Sequence, residues 1–452
     1  DRIVKDRRYL LEIKGRLFFA ECRIVYRSRQ RERKMKKMIE ECLKKCAERA
    51  FILLRWLAAA GLTGWILGVV GGWFNLAVAN VTTFRGNHPW MLYLLPVAGL
   101  AIVALYKLDP YHSSTNLVLK GIQTGAYVPL RMAPLIVIST VLTHAFGGSA
   151  GREGAALQLG GSLGGTFGKW MKMDEYDRKI MIMCGMSAAF SALFGTPLTA
   201  TVFAMEVISV GIMEYAALVP CAVASLAARG AAAWVGAHGE QFTITEIPAV
   251  DVRSVVLTIV LAVLCAAVSI LFCMVLHHTE HWYQKWIPNE WVRIISGALL
   301  VILMTILLGT TDYLGAGMDV VAKAVAGETA AAAFLIKMVF RAVTLGSGFK
   351  GGEIVPALFV GATFGCLFGQ VTGLAPSLAA ACGMAAVFCG VTNCPISSLL
   401  LSFELFGFQC MPFFLLSVSI SYLESGYFGL YHSQKILYSK TKLQFINRQT
   451  KE

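Results

Sequence analysis

The residues with the most chemical content form a charged pair inside an apolar stretch. The segment GGSAGREGAALQLGG (147–161) runs through small residues into Arg152-Glu153 and then into a glycine-rich apolar run. Ionisable groups in such a setting are expensive inside a bilayer, so function is the default reading. A helix that starts at this pair presents unpaired N–H groups and the positive end of its dipole. That end attracts an anion, and the Glu153 carboxylate can take the anion's place. A carboxylate that competes with an anion and also exchanges a proton works as a gate. The competing reading is a salt bridge between Arg152 and Glu153 in a loop at the membrane edge.

A second segment, GSGFKGGEIVPALFVGATFG (346–365), repeats the design. Gly351, Gly352 and Glu353 lead into Ile354, Val355 and Pro356. The N–H groups of Ile354 and Val355 are expected to face the same point as those following Gly151. Gly361, Gly365 and Gly369 permit close helix packing, which leaves Lys350 and Glu353 unexplained. In HSSTNLVLKG (112–121), Ser113, Ser114 and Thr115 are N-cap types. A hydroxyl there caps its helix or donates to an anion. In SGYFGLYHSQKILYSKTK (425–442), Tyr431 and Tyr438 stand between the last apolar run and a basic tail. Such tyrosines anchor at a membrane interface, unless the phenol turns inward.

The elements that must hold these residues are membrane helices. The 452 residues are 56% hydrophobic and only 15% charged, against about 25% charged in a soluble domain. Too few charges remain to cover a soluble surface, and lipid is the natural solvent. Residues 1–50 hold 17 Lys and Arg against 8 Asp and Glu, a net +9 of the chain's +13. Such a flank reads as cytoplasmic and as lying near anionic lipid. No nucleic-acid-binding domain follows it. Long apolar spans are expected near 52–82, 90–107, 130–148, 211–236, 253–278, 291–309 and 329–345. Shorter ones, cut by Gly or Pro, fall near 155–171, 177–194, 197–210, 354–371, 375–391, 395–406 and 411–430. A full span needs about 20 residues. The short ones read as broken or tilted helices, tolerated only where protein covers them or a polar cavity adjoins them.

The halves also match each other. Gly185/Gly383, Met186/Met384, Phe190/Phe388, Pro197/Pro395 and Glu206/Glu404 pair at one offset, 198. Gly151/Gly352, Gly160/Gly361, Gly164/Gly365 and Gly168/Gly369 pair at 201. Matched broken helices in a repeat point to a transporter-type site at mid-membrane. The organisation expected is a basic cytoplasmic segment at 1–50, a first membrane repeat at 51–236, a linker at 237–252, a second repeat at 253–430, and a cytoplasmic C-terminal helix or tail at 431–452.

These motifs resemble the signatures of the CLC family of chloride channels and anion/proton antiporters. GREG at 151–154, GGEIVP at 351–356, HSSTNLVLKG, LYHS at 430–433 and FGTPLTATVFAMEV at 194–207 occur in the family's order and cover roughly 50–442. The resemblance implies an all-α polytopic membrane protein of inverted-repeat architecture, present in the cell membrane as a homodimer with one pore per subunit. It implies Glu153 as the gate and Ser114 and Tyr431 as donors to a central anion. Backbone N–H groups of Gly154, Ile354 and Val355 would be further ligands, with Gly151, Arg152, Gly351, Gly352, Glu353 and Pro356 supporting them.

Departures from the family pattern bear on the cargo. Ile354 stands where the family has an aromatic. Val207, after Glu206, stands where chloride antiporters commonly carry an inner glutamate. The Gly-Gly-Glu form and the missing glutamate are similar to the fluoride-exporting branch. That branch typically has Met where this chain has a serine, and Thr at the position of Val355. The expected activity is exchange of an anion, chloride by default, for protons through Glu153. The alternatives are fluoride/proton exchange and an uncoupled chloride channel. An intramembrane enzyme would need a nucleophile–base or metal constellation. The eight histidines include no HExxH, and no GxSxG is present. No cofactor or metal is called for.

Overall fold

The computed structural model of the chain describes residues 2–108 and 114–451, and within 2–33 the surroundings of Gly15 and Gln30 alone. The expectations for His112, Ser113 and most side chains of the basic N-terminal segment lie outside the described residues. Two compact units are present, Asp1–Ala58 and Ala59–Glu452. Helix α1 (Arg2–Asn87) supplies the helical residues of the first and opens the second.

In the first half of the larger unit follow α2 (Leu95–Tyr106), α3 (Thr115–Thr124), α4 (Met132–Ala145) and α5 (Glu153–Trp170). Then come α6 (Glu175–Phe194), α7 (Pro197–Glu206), a two-residue strand β1 (Ser209–Val210) and α8 (Leu218–Trp234). The second half holds α9 (Val252–Trp286), α10 (Glu290–Leu308), α11 (Met318–Val325) and α12 (Ala333–Gly346). It continues with α13 (Ile354–Thr372), α14 (Pro376–Thr392), α15 (Pro395–Phe406) and α16 (Met411–Glu424). Six stretches among the described residues are long and apolar enough to cross a membrane; α4, α14, α15 and α16 are apolar but shorter. The expected mixture of full and broken helices is therefore present.

The breaks have local causes. Helix α6 ends on Gly195 at φ +72° and α14 on Asn393 at φ +58°, both left-handed C-caps. Proline then opens α7 and α15, where its missing N–H costs nothing. The residues between agree closely: Thr196 has φ −113°, ψ 78° and Cys394 has φ −117°, ψ 78°. Helix pairs α5–α6 and α13–α14 are the most extensive contacts in the fold. Glycines permit them: a Cβ on Gly160 would fall on the Gly185 carbonyl, and one on Gly361 on the Gly383 carbonyl. The matched glycines Gly160/Gly361, Gly164/Gly365 and Gly185/Gly383 are thus places where helix backbones touch.

The C-terminal segment departs from expectation. Instead of a helix or tail, residues 431–452 contain strands β2 (Lys435–Tyr438) and β3 (Phe445–Gln449). β2 pairs in parallel with β1 and antiparallel with β3. The β-branched and aromatic runs Lys-Ile-Leu-Tyr and Phe-Ile-Asn favour extended backbone, and β1 offers an edge to pair with. Lys440, in the turn between β2 and β3, donates to Asn393 Oδ1 (2.6 Å), the Tyr422 carbonyl (2.9 Å) and Ser425 Oγ (3.1 Å). Burial lowers its ammonium to about 8.

Candidate functional site

Two glycine loops meet face to face at the centre of the fold. Gly151 N–H donates to the Gly352 carbonyl at 2.9 Å, and Gly352 N–H donates to the Gly151 carbonyl at 2.6 Å. Only glycine allows this approach, since a Cβ on Gly352 would lie 2.6 Å from the amide nitrogens of Glu153 and Gly154. The bridge sets the starts of α5 and α13 beside each other. The preceding residues share one conformation: Arg152 at φ −113°, ψ −13° and Glu353 at φ −107°, ψ −20°.

Glu153 opens α5 and is 1% exposed. Its Oε2 accepts the N–H of Arg152 at 2.9 Å and the N–H of Val355, from the other half, at 3.4 Å. Its Oε1 is buried without a hydrogen bond and lies 3.7 Å from Arg152 Nε. The ion pair weighed from sequence is therefore a long contact. The Arg152 head turns instead to Asn75 Oδ1 and, at 3.2 Å, to Glu240 Oε1. Gly154 leaves its backbone bare; a Cβ there would stand 3.0 Å from Gly352 Cα. Ile354, Val355 and Pro356 are buried.

The hydrogen bonds thus bring Gly151, Arg152, Glu153, Gly352 and Val355 together. Tyr431 is 1% exposed and is no interfacial anchor; its hydroxyl is buried without a partner among the described residues. Glu353, Glu153 and Arg341 lie within its electrostatic reach. Ser114 precedes α3 in extended conformation, and its side chain makes no capping bond. It lines a cavity of about 330 Å³ with Tyr106, Arg293, Ser347 and Lys350. Neither the Ser114 side chain nor the Tyr431 hydroxyl bonds to the Glu153 cluster.

Two features were not legible as functional from sequence. The span near 329–345 carries Lys337 and Arg341, both fully buried on α12. Lys337 Nζ donates to the carbonyls of Tyr313 (3.1 Å) and Gly315 (2.8 Å). The available signal was two basic residues four apart in an apolar helix. The second feature is a reciprocal pair of caps. Glu206, ending α7, accepts from Ile396 N (3.1 Å), Ser397 N (2.8 Å) and Ser397 Oγ (2.5 Å) at the start of α15. Glu404 on α15 accepts from Leu198 N (2.9 Å), Thr199 N (2.8 Å) and Thr199 Oγ1 (2.7 Å) at the start of α7. The Glu206/Glu404 match at offset 198 was the trace of this arrangement.

Residues 106–426 match the family described as voltage gated chloride channel. The chain belongs to the CLC family. Among curated relatives, this CLC chain is 35% identical over 398 residues to a chloride/fluoride channel protein of Pseudomonas syringae pv. tomato, covering 86% of this chain and 88% of the relative. It is 27% identical to the voltage-gated ClC-type chloride channel ClcB of Escherichia coli O17:K52:H18, over 82% of this chain and 89% of the relative. Among solved structures, a CLC-type fluoride/proton antiporter superposes with TM-score 0.82 at 30% identity, over 85% of this chain and 98% of the other. A slow cyanobacterial Cl⁻/H⁺ antiporter superposes at 0.71 with 20% identity, over 82% and 94%, which shows the common fold. The chain is thus an all-α, multi-pass CLC anion transporter of inverted-repeat architecture.

Proposed function

We propose that this chain exchanges a small halide for protons, with Glu153 as both gate and proton carrier. The observation that carries the reading is the seat of the Glu153 carboxylate. Its Oε2 occupies N–H donors from both halves at once, Arg152 and Val355. Ionised, the carboxylate holds the donors that an anion would use, and the path is shut. Protonated, it gives up its charge-assisted bonds, leaves, and an anion takes the donors together with the N–H groups of Gly154 and Ile354. Proton uptake and anion entry are then one event. Tyr431 and Ser114 supply hydroxyl donors further along the path.

Chloride is the cargo implied by the serine of the first motif. Fluoride is the second reading, favoured by Val207 in place of an inner glutamate and by a relative at 35% identity and a solved structure at 30% whose names carry fluoride. We further propose that both termini are cytoplasmic, in keeping with the basic flank, and that the chain is a homodimer. Leu198, Leu226, Ile396 and Leu415 on α7, α8, α15 and α16 are exposed apolar side chains available for such an interface.

The test is flux from liposomes with simultaneous pH recording, run with chloride and with fluoride. Wild type should move protons against a gradient when driven by the halide. Glu153→Gln should pass halide and move no protons. Proton pumping that survives in Glu153→Gln excludes Glu153 as the carrier. Halide flux without proton movement in wild type makes the chain a channel, with Glu153 a gate only.

A further inference from the structure

Arg341 is a fully buried cation that the exchange scheme leaves unused. It makes one hydrogen bond, from Nη1 to the Ser149 carbonyl at 3.4 Å. Its Nε and Nη2 are buried and have no partner among the described residues, and the Ser149 hydroxyl is in the same condition. A guanidinium carries five N–H donors, and a buried charge without partners is strongly disfavoured. Lys337, one turn earlier, shows the usual solution in its two carbonyl partners. Among the described residues no carboxylate lies at ion-pair distance from Arg341, yet Glu353, Glu153 and Tyr431 are its electrostatic neighbours.

The position is also rigid. Ser149 N–H donates to Thr344 Oγ1 at 3.2 Å, which ties the loop before Gly151 to the helix that carries Arg341. At the 201 offset the counterpart of Arg341 is Thr140, so the charge belongs to one half only. A buried positive charge and two unmade guanidinium donors on Arg341, and the unmade hydroxyl of Ser149, thus belong to two residues held together by the Nη1 contact just before the gate loop.

The geometry points to a second anion position, formed by Arg341 Nε and Nη2 with the Ser149 hydroxyl, that holds a desolvated monovalent halide next to the Glu153 seat. It rests on the reading of that seat as the anion's own. An anion arriving while Glu153 is in place waits here and moves over when the carboxylate leaves. A guanidinium suits the task because it keeps its charge at every working pH and is weakly hydrated.

The experiment measures halide flux against halide concentration in liposomes, and halide binding by calorimetry, in wild type and in Glu153→Gln. Arg341→Gln should raise KM about tenfold in both backgrounds and weaken binding to match, for a loss of one charge-assisted contact. Arg341→Lys should recover part of the loss, and Ser149→Ala should raise KM a few-fold. The Glu153→Gln background removes the gate charge, and adding Glu353→Gln to it removes Arg341's other carboxylate neighbour. A KM rise on Arg341→Gln that persists there belongs to the anion position. Unchanged KM and binding on Arg341→Gln in that background overturn the proposal and leave Arg341 as a counter-charge for the gate. If Arg341→Gln does not fold, Ser149→Ala in the same assay decides, and an unchanged KM overturns the position. Proton movement is recorded in parallel. Lost coupling with an intact KM shift counts against exchange through Glu153 and not against this anion position.

Discussion

Helix α5 opens at Glu153 behind Arg152, while α13 opens at Ile354 behind Glu353. The backbone dihedrals at the two starts agree within a few degrees, and the loops pair through one symmetric bridge. The side chains do not agree. The first half supplies the carboxylate that sits on the donors, with an arginine drawn off towards Asn75 and Glu240. The second supplies a donor, Val355 N–H, and the buried cations Lys337 and Arg341. A symmetric frame thus places two helix starts at one point, and unlike charges on that frame give the point its direction. A fully symmetric pair would hold two carboxylates or none, and neither makes a gate that one proton can release.

The largest test of this comparison is steric. A Cβ on Gly352 meets backbone nitrogen of Glu153 and Gly154, whereas one on Gly151 meets the Glu153 carboxylate itself, a movable group, and Pro356. Gly352→Ala should cost about 3 kcal/mol or prevent folding, the upper range for overpacking. Gly151→Ala should be milder in thermal stability while altering flux through the displaced carboxylate. Equal stability losses in detergent would show that the loops are equivalent after all.

Next in size are the reciprocal caps. Each carboxylate accepts three hydrogen bonds, and bonds to charged groups are worth about 1.5–3 kcal/mol. Glu206→Gln should cost about 2 kcal/mol and Glu404→Gln less, because Glu206 is buried and Glu404 only partly so. Since both caps hold one helix pair, the double mutant should fall short of the sum. Full additivity in a thermal-shift cycle would mean that α7 and α15 are fixed by other contacts.

The helix ends sharpen the comparison through a smaller difference. Asn393→Gly keeps the left-handed backbone but should cost about 2 kcal/mol, because it removes the amide that accepts from Lys440 and donates to the Phe428 carbonyl and Gln434 Oε1. Asn393→Ala should lose about 1 kcal/mol more, because alanine resists that backbone. Gly195→Asn should lose about 1–2 kcal/mol, since a Cβ there would lie 2.8 Å from Gly239 Cα. Equal melting temperatures for Asn393→Gly and Asn393→Ala would break the assignment of Asn393 as a left-handed cap.

Lys440 provides an effect that depends on pH. Its ammonium, lowered to about 8 by burial, compares with about 10.4 in an unfolded chain. Between those values the unfolded chain binds more protons, so this group makes stability rise with pH there. Lys440→Met should flatten the rise between pH 8 and pH 10. An unchanged slope would assign it to another group.

Much of this was legible because breaks leave marks. Gly195-Thr196-Pro197 and Asn393-Cys394-Pro395 announce the helix ends, and the glycines of α5 and α13 announce close packing. Arg341 and Lys337 escaped because a span judged by its apolar majority hides two cations among many aliphatics. The caps escaped because Glu206 and Ser397 are 191 residues apart in the chain, a separation at which a side chain's partner leaves no local trace. The C-terminal strands escaped because β1, which they join, is two residues long. The direction of Ser114 depends on packing around α3, which its cap-like residue type does not report.

The Gly151–Gly352 bridge has a consequence for descent. A Cβ on either glycine meets atoms of the opposite half, Glu153 N and Gly154 N for Gly352 and Pro356 and the Gly352 carbonyl for Gly151, so neither position can drift alone. Variation is confined to neighbouring sites whose backbone is already set, such as 152 and 353 or 140 and 341. A lineage built on this bridge inherits its geometry nearly fixed and explores new cargo by exchanging side chains around it.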